Sequence, residues 1–224
     1  MNFFDSLGEY LPDLLSGLWL TVELTLISAI VGFVLAVPLV IFIIYGKGFW
    51  HWIAKAYVTV VRGTPLLVQL FFIYFGLPGI GIRLTPFEAA IIGFLLNSAA
   101  YQAEYMKGGF LSITTEQMEA AYSIGLTKWQ AIRIIIFPQA FRFSIPALSN
   151  EMIYLIKYTS IAYIIRVREL FAEAKFFASD TFYHIEIFIL IGIIYLILVW
   201  FVTQGTSFLE KKLYVPGFDV SHLK

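Results

Sequence analysis

The chain has 224 residues, of which 60% are hydrophobic and only 13% are charged, with a formal net charge of zero. A soluble domain carries about 25% charged residues, so this composition indicates a membrane protein. The chain has no cysteine, which excludes disulfides and thiolate metal sites, and its balanced charge offers no electrostatic footprint for nucleic acid.

Five apolar segments are long enough to cross a bilayer, whose hydrocarbon core requires about 20 residues of helix. We therefore predict an all-α polytopic membrane protein with about five transmembrane helices. The first segment is long, contains polar residues such as Glu23 and has few basic residues before it, so we expect it to stay in the mature protein. Pro38 is expected to kink or shorten it. The predicted spans are 14–45, 53–76, 85–107, 145–165 and 185–208.

A turn-like sequence, Arg-Gly-Thr-Pro, occupies positions 62–65 of the second segment. Thr64 suits a helix cap, and Pro65 suits a first helical turn, where its missing amide hydrogen costs nothing. We interpret this stretch as architecture, with Arg62 at the cytoplasmic interface.

The distribution of lysine and arginine predicts the orientation, because cytoplasmic loops are enriched in both. With the N-terminus outside the cell and the C-terminus in the cytoplasm, ten of the fifteen basic residues fall on the inner side. We therefore predict that topology. The ten residues are Lys47, Lys55, Arg62, Lys107, Lys128, Arg133, Arg142, Lys211, Lys212 and Lys224.

Polar side chains inside a span are costly and usually face a cavity or a partner. In the third span Asn97, Tyr101 and Glu104 recur at intervals of four and three residues, so they share a helical face. In the fourth span Glu151 follows Asn150, and Tyr154 and Tyr158 lie on the face of Glu151. The candidate ligand-binding residues are Asn97, Tyr101, Asn150, Glu151 and Tyr154.

Carboxylate, amide and aromatic groups together suit a zwitterionic ligand with an extra positive group. A cationic amino acid fits Glu151, although a neutral one such as glutamine also has an α-ammonium group. The alternative role of Asn97, Tyr101 and Asn150 is to join helices by hydrogen bonds. Glu104 is expected to pair with Lys107.

Lys157 is a poor partner for Glu151 within one subunit. Six residues of helix rotate it about 120° away. We expect Lys157 to line the outer mouth of the path or to contact a neighbouring helix.

The segment between the third and fourth spans falls in the cytoplasm and carries its own helix signals. Thr114 with Gln117, and Thr127 with Gln130, have the spacing of capping boxes. Gly125 suits the left-handed conformation that ends a helix. The pattern predicts a helix, a glycine turn and a second helix over 114–138.

The end of this element is predicted at Pro138, which lacks the amide hydrogen needed to continue the second helix. On the first helix Ala120 and Ala121 have small side chains, which would let a groove of another protein come close.

Metal and nucleotide chemistry are not expected in this chain. His51, His184 and His222 are scattered singly, without the close pairing of a zinc site. No GxxxxGK[ST] pattern is present, so ATP hydrolysis by that route requires another chain.

The residues Glu119, Ala120, Ala121, Gly125 and Pro138 have the spacing of the EAA motif and resemble that motif in permease subunits of ABC importers. Phe137 replaces the usual leucine before the proline. Further stretches resemble the polar-amino-acid branch, which includes histidine, arginine and glutamine permeases. These are RGTPLLVQLFFIYFGLP from Arg62, NSAAYQAEYMKGG from Asn97 and SNEMIYLIKYTSIAYII from Ser149.

This resemblance covers nearly the whole chain and implies a single permease domain over 1–224 in a prokaryotic inner membrane, surrounded by lipid. It implies that 114–138 contains a coupling helix seated in a groove of a cytoplasmic ATPase. The implied partners are two ATPase copies that bind ATP and Mg²⁺, a second permease subunit of the same or a sister chain, and an extracytoplasmic amino-acid-binding protein. The chain itself is expected to need no cofactor and to catalyse no reaction.

Two rival functions are a secondary transporter and a channel subunit. A secondary transporter often contains inverted repeats with broken helices, and a channel has a filter stretch or a charged pore ring. Neither explains the cytoplasmic two-helix element.

Overall fold

The computed structural model describes residues 2–213, and within that range every regular element is helical. The all-helical class is therefore confirmed. Lys224 and His222, used in the predictions of topology and metal binding, lie outside the described residues. The helices are α1 (Phe3–Tyr45), α2 (Phe49–Gly63), α3 (Leu66–Phe71), α4 (Pro86–Leu111), α5 (Thr115–Ser123), α6 (Lys128–Ala131), α7 (Phe137–Tyr158), α8 (Leu170–Thr181) and α9 (His184–Leu213).

Helix α1 begins at Phe3 rather than at residue 14, because a capping box stabilises an earlier start. The Asn2 side chain accepts a hydrogen bond from the Asp5 backbone N–H at 2.9 Å, and the Asp5 side chain bonds back to Asn2. Pro12 and Pro38 both lie inside this helix of 43 residues. Pro38 therefore does not shorten it, and α1 is longer than a bilayer requires.

The second apolar segment is broken. The axis turns by 104° between α2 and the stretch Leu66–Ile80, which comprises α3, a π-helical turn and a short 3₁₀ turn. Thr64 is extended, with φ −113° and ψ 139°, as expected for a residue before proline. The Gln69 side-chain amide bridges the break by donating to the Val61 carbonyl at 2.7 Å and the Thr64 carbonyl at 3.0 Å.

Helix α4 lies at the centre of the bundle and packs on α1, α2, α3 and α7. Its buried positions include many alanines and the polar residues Asn97, Ser98 and Gln102. Gly109 allows the closest approach, because an added Cβ would clash with the Ser144 hydroxyl and the Ala140 carbonyl oxygen of α7. Small side chains permit such close helix packing in membranes.

Pro138 does not end the second helix of the cytoplasmic element. The chain stays helical from Lys128 to Ile165, because a π-helical turn at Ile132–Ile136 precedes the proline. In that wider turn the Phe137 N–H donates to the Ile132 carbonyl, and the Gln139 side-chain amide satisfies the Ile135 carbonyl at 2.9 Å. The helix containing the fourth predicted span therefore begins before residue 145.

Three described helical stretches have the length and hydropathy of a membrane span, and the bent pair is a fourth if it crosses as one. Helix α4 does not belong to this set, because its central, buried position tolerates alanine and polar residues in place of lipid-facing side chains. The stretches are Phe3–Tyr45, Lys128–Ile165 and His184–Leu213, with Phe49–Gly63 plus Leu66–Ile80 as the bent pair.

Candidate functional site

The third and fourth predicted spans bring four tyrosines and Glu151 together. On α4 the ring centroids of Tyr101 and Tyr105 are 6.2 Å apart, and on α7 Tyr154 stacks on Tyr158 at 6.0 Å. The phenols of Tyr105 and Tyr158 lie within electrostatic range of the Glu151 carboxylate. We call these five residues the tyrosine cluster. The sequence identified Tyr101, Glu151, Tyr154 and Tyr158, but not Tyr105.

Glu151 is 4% exposed and is held by a polar relay to α4 and α1. Its carboxylate accepts a hydrogen bond from the Ser98 hydroxyl, and Ser98 accepts one from the Gln102 amide at 2.8 Å. Gln102 also donates to the Ala29 carbonyl at 3.0 Å. Ser98 and Gln102 were absent from the predicted site, although their i, i+4 spacing on a membrane helix was a usable signal.

No basic side chain of the described chain forms an ion pair with Glu151. Lys157 instead places its ammonium group 4.6 Å from the centroid of the Tyr154 ring. The prediction that Lys157 and Glu151 do not pair is therefore confirmed. A buried carboxylate without a cation is costly.

Glu151 also lines a cavity of about 270 Å³ between α1, α4, α7 and α9. The walls of this cavity are mainly apolar and include Ile30, Phe33, Phe141 and Ile145. Such walls offer few polar groups to an amino acid. The phenols of the tyrosine cluster are therefore the more polar surroundings of Glu151.

Asn97 and Asn150 have different surroundings. Asn97 is 4% exposed and donates from its side-chain amide to the side-chain amide oxygen, Oε1, of Gln69 at 3.2 Å. It therefore joins α4 to α3, which is the alternative role given for it above. Asn150 is exposed one turn before Tyr154. The printed sequence could not identify Gln69 as the partner of Asn97, because the contact depends on the bend at Thr64.

Glu104 is paired as expected but has a second cation. Its carboxylate lies 3.1 Å from the Lys107 ammonium and 3.4 Å from the Arg62 guanidinium. Arg62 also lies over the Tyr101 ring, with its central carbon 5.4 Å from the centroid. Arg62 therefore sits beside the tyrosine cluster.

The turn of the cytoplasmic element forms as the sequence predicts. Gly125 has φ +83°, its N–H donates to the Tyr122 carbonyl at 2.9 Å, and the Leu126 N–H donates to the Ala121 carbonyl at 3.1 Å. This pair of bonds is a Schellman motif. The second capping box, Thr127 with Gln130, is also confirmed.

The first capping box is wrong. Thr114 occupies the N-cap position, but its side chain does not cap the helix. Its hydroxyl bonds to Glu116 instead, and this hydrogen bond, helped by the backbone N–H of Glu116, lowers the pKa of the Glu116 carboxyl. The Thr114 hydroxyl therefore bonds to the carboxylate of Glu116 and does not form the capping box predicted with Gln117.

The exposed surface of the element differs from the predicted alanine pair. Glu119 and Ala120 are exposed, but Ala121 is 0% exposed and lies on the inward side of α5. Near Gly125 the large exposed apolar side chains are Tyr122, Ile124 and Trp129, at 47%, 73% and 61%. They flank Gly125 on both sides.

The element is tied to the membrane helices on its inner side. The Lys128 ammonium donates to the Tyr45 carbonyl at 3.3 Å and lies 5.3 Å from the centroid of the Tyr45 ring. Lys128 thus joins the second helix of the element to the last turn of α1, where a cation suits the helix dipole.

Residues 28–214 match the family model for the inner membrane component of binding-protein-dependent transport systems. The chain belongs to this family. It is the multi-pass permease subunit of an ABC importer in a bacterial inner membrane, and the ATPase activity lies in a partner chain. Such a system also has a binding-protein partner.

Several relatives of similar length are permeases named for a particular amino acid. The arginine transport system permease protein ArtQ of Bacillus subtilis (strain 168) is 36% identical, covering 94% of this chain and 96% of the relative. The probable glutamine ABC transporter permease protein GlnM of the same organism is 34% identical, covering 94% and 95%. The L-cystine transport system permease protein TcyB, also from that organism, is 38% identical, covering 92% and 88%.

Solved structures agree with the fold. The crystal structure of an amino acid ABC transporter with histidines has a TM-score of 0.86 and 33% identity, covering 95% of this chain and 99% of that chain. An inward-facing structure of the MetNI methionine ABC transporter has a TM-score of 0.78 at 21% identity, covering 91% and 97%. The second similarity concerns the fold alone.

Proposed function

We propose that this permease carries polar amino acids across the inner membrane and that the ligand contacts the tyrosine cluster. The observation that carries the proposal is Glu151, a buried carboxylate without a basic partner in residues 2–213, beside four aromatic rings. A ligand ammonium or guanidinium group would offset its charge, and tyrosine faces attract cations. Arginine, glutamine and cystine, for which the relatives are named, fit this class.

Within the cluster, Glu151, Tyr101 and Tyr154 are the proposed ligand contacts. Asn97 is already hydrogen-bonded to Gln69. It would therefore contact the ligand through its remaining amide donor or acceptor, or would act only by positioning α4. Asn150 lies on the exposed side of α7, where a second subunit or the ligand could reach it. A cationic amino acid is the favoured ligand, because Glu151 forms no ion pair with a basic residue within residues 2–213.

We infer that 114–138 is the element that couples transport to ATP hydrolysis, with the spacing of Glu119, Ala120, Ala121, Gly125 and Pro138 as its EAA motif. The exposed apolar side chains around Gly125 suit burial in a groove of the ATPase, since aromatic residues dominate such interfaces. Glu119 and Ala120 add exposed contacts, Ala121 lets α5 pack inward, and Pro138 lies at the start of α7. A rigid element anchored by Lys128 transmits rigid-body motion.

The complete importer would contain two permease subunits, two ATPase copies that bind ATP and Mg²⁺, and an extracytoplasmic amino-acid-binding protein. The second permease would be a copy of this chain or a sister chain. The single permease domain would cover 1–224.

Reconstitution tests the proposed function directly. Proteoliposomes containing this permease, its ATPase and its binding protein are expected to take up labelled arginine or glutamine only when ATP is supplied. Uptake driven by an ion gradient without ATP would favour a secondary transporter. Failure to take up any polar amino acid in the presence of ATP would overturn the substrate class.

The proposed topology has five spans, with α4 as the additional one and the N-terminus outside. It follows that α5 is cytoplasmic and α8 is external. Ser123 and Ser179 form a matched pair for a labelling test, because both are exposed and both donate to a carbonyl four residues earlier, at 3.0 Å and 2.8 Å.

In this cysteine-free chain we expect Ser179→Cys to react with a membrane-impermeant thiol reagent added outside intact cells. Ser123→Cys is expected to react only after the cytoplasmic face is opened. The unsubstituted protein is the blank, and the reverse labelling pattern would invert the proposed topology.

A further inference from the structure

Arg62 occupies a position that its role in architecture does not explain. It lies in the last turn of α2, directly before the 104° break. Its side chain is 38% exposed, and its guanidinium covers the Tyr101 ring. The guanidinium is therefore partly exposed and in contact with the tyrosine cluster.

The guanidinium of Arg62 has unused hydrogen-bonding capacity. Arginine carries five N–H donors in a planar fork that matches a carboxylate. Within residues 2–213 its polar contact is the ion pair with Glu104 at 3.4 Å, and this pair lacks the geometry of a hydrogen bond. Glu104 is meanwhile hydrogen-bonded to Lys107 at 3.1 Å. Arg62 could exchange Glu104 for another carboxylate without leaving Glu104 unpaired.

The tyrosine cluster thus has a charge of each sign beside it. The Tyr105 phenol lies within electrostatic range of both the Glu151 carboxylate and the Arg62 guanidinium. Tyr101 contacts Tyr105 on one side and Arg62 on the other. A charge of each sign suits an amino acid, which carries both an ammonium group and a carboxylate.

We propose that Arg62 binds the α-carboxylate of the transported amino acid, while Glu151 holds its ammonium group or cationic side chain. This subsite rests on the proposed function and deepens it. The ligand would bridge α2 and α7 through its two charges and lie against Tyr101 and Tyr105. Arg62 would then select α-amino acids over amines of the same side chain.

The test compares ligands with and without the carboxylate. Binding of labelled arginine and of agmatine, its decarboxylated form, is measured on the purified permease–ATPase complex in nanodiscs, without the binding protein, so that only the membrane site selects. Glutamine and 4-aminobutanamide form a second pair. The wild-type complex is expected to bind each amino acid about tenfold or more tightly than its amine.

Arg62→Gln is expected to weaken amino-acid binding by about tenfold to a hundredfold, the effect of losing a charge-assisted hydrogen bond. Amine binding should stay within about twofold, so the ratio between the two ligands collapses. Arg62→Lys keeps the charge but loses the fork, and an intermediate ratio is expected. Glu104→Gln is the control, because it removes the ion pair and leaves the guanidinium, and its ratio should remain that of the wild type.

Two outcomes would overturn the subsite. One is a wild-type complex that binds the amine as tightly as the amino acid. The other is an Arg62→Gln variant, or Arg62→Lys if the first does not assemble, that weakens both ligands equally, as loss of the link between α2 and α4 would. A wild-type complex that binds none of the amino acids would overturn the proposed function, and the subsite with it.

Discussion

Replacing Gly125 by valine is expected to abolish coupling to the ATPase while leaving membrane insertion intact. Gly125 has φ +83°, where a β-branched residue is strained by about 1–2 kcal/mol. Leaving this conformation would break the bonds from Gly125 to Tyr122 and from Leu126 to Ala121, each worth about 0.5–1.5 kcal/mol. Either response reorients α5 relative to α6 and separates the exposed side chains that flank the turn.

The matched control is Gly125→Asn, because asparagine tolerates the left-handed region. A Cβ at this position meets no atom within 4 Å, so steric contact does not distinguish the two variants. Assembly is measured by co-purification with the ATPase, and coupling by ligand-stimulated ATP hydrolysis in proteoliposomes. We expect a loss of about tenfold or more for valine and near-normal values for asparagine. Normal assembly and stimulated hydrolysis in the valine variant would show that this segment does not couple the two subunits.

Features set by a few neighbouring residues were predictable from the sequence. The left-handed turn at Gly125 and the capping box of Thr127 with Gln130 depend only on local geometry. The angular separation of Lys157 from Glu151 follows from the helical repeat. The capping-box rule gave a wrong prediction for Thr114, because its hydroxyl bonds to the carboxylate of Glu116.

Pro138 shows how a local rule is overridden. Proline disrupts an α-helix because it lacks an N–H and its ring crowds the carbonyl four residues earlier. Here a π-helical turn immediately before it widens the backbone, and Gln139 supplies a side-chain donor to Ile135. Neither adjustment has a signature in the printed sequence, so the continuous helix from Lys128 to Ile165 could not be anticipated.

The site itself depends on contacts between distant segments. Asn97 meets Gln69 across 28 positions, and Arg62 reaches Tyr101 and Glu104 because α2 packs on α4. The sequence placed Arg62 at the cytoplasmic interface, since basic residues near a span usually lie there. Helical periodicity could find the polar faces of α4 and α7, but not that Arg62 of α2 lies beside them.

Replacing Glu151 by glutamine is expected to lower transport by removing the charge that offsets a cationic ligand. The side chain keeps its size, and its oxygen can still accept the hydrogen bond from Ser98, so the relay to Gln102 and α1 is preserved. A charge-assisted hydrogen bond is worth about 1.5–3 kcal/mol. Apparent affinity at the membrane site should therefore weaken by about tenfold to a hundredfold.

Glu104→Gln is the matched control, because Glu104 is a carboxylate near the same tyrosines that is already paired with Lys107 and Arg62. The substitution removes a negative charge, but it does not deprive the ligand of its proposed partner. Only a small change in uptake is therefore expected. Similar losses in both variants would indicate a general electrostatic effect rather than contact with the ligand.

The measurement compares uptake of arginine and glutamine by the wild type and by Glu151→Gln, in proteoliposomes with the cognate partners. If Glu151 holds a cationic side chain, the substitution should impair arginine more than glutamine. If it holds only the α-ammonium group, both ligands should be impaired equally, because both carry that group. Wild-type uptake of glutamine but not arginine would contradict the cationic assignment. Unchanged uptake in the variant would leave Glu151 with a structural role, in which the hydrogen bond from Ser98 joins α7 to α4, because glutamine preserves that bond while removing the charge.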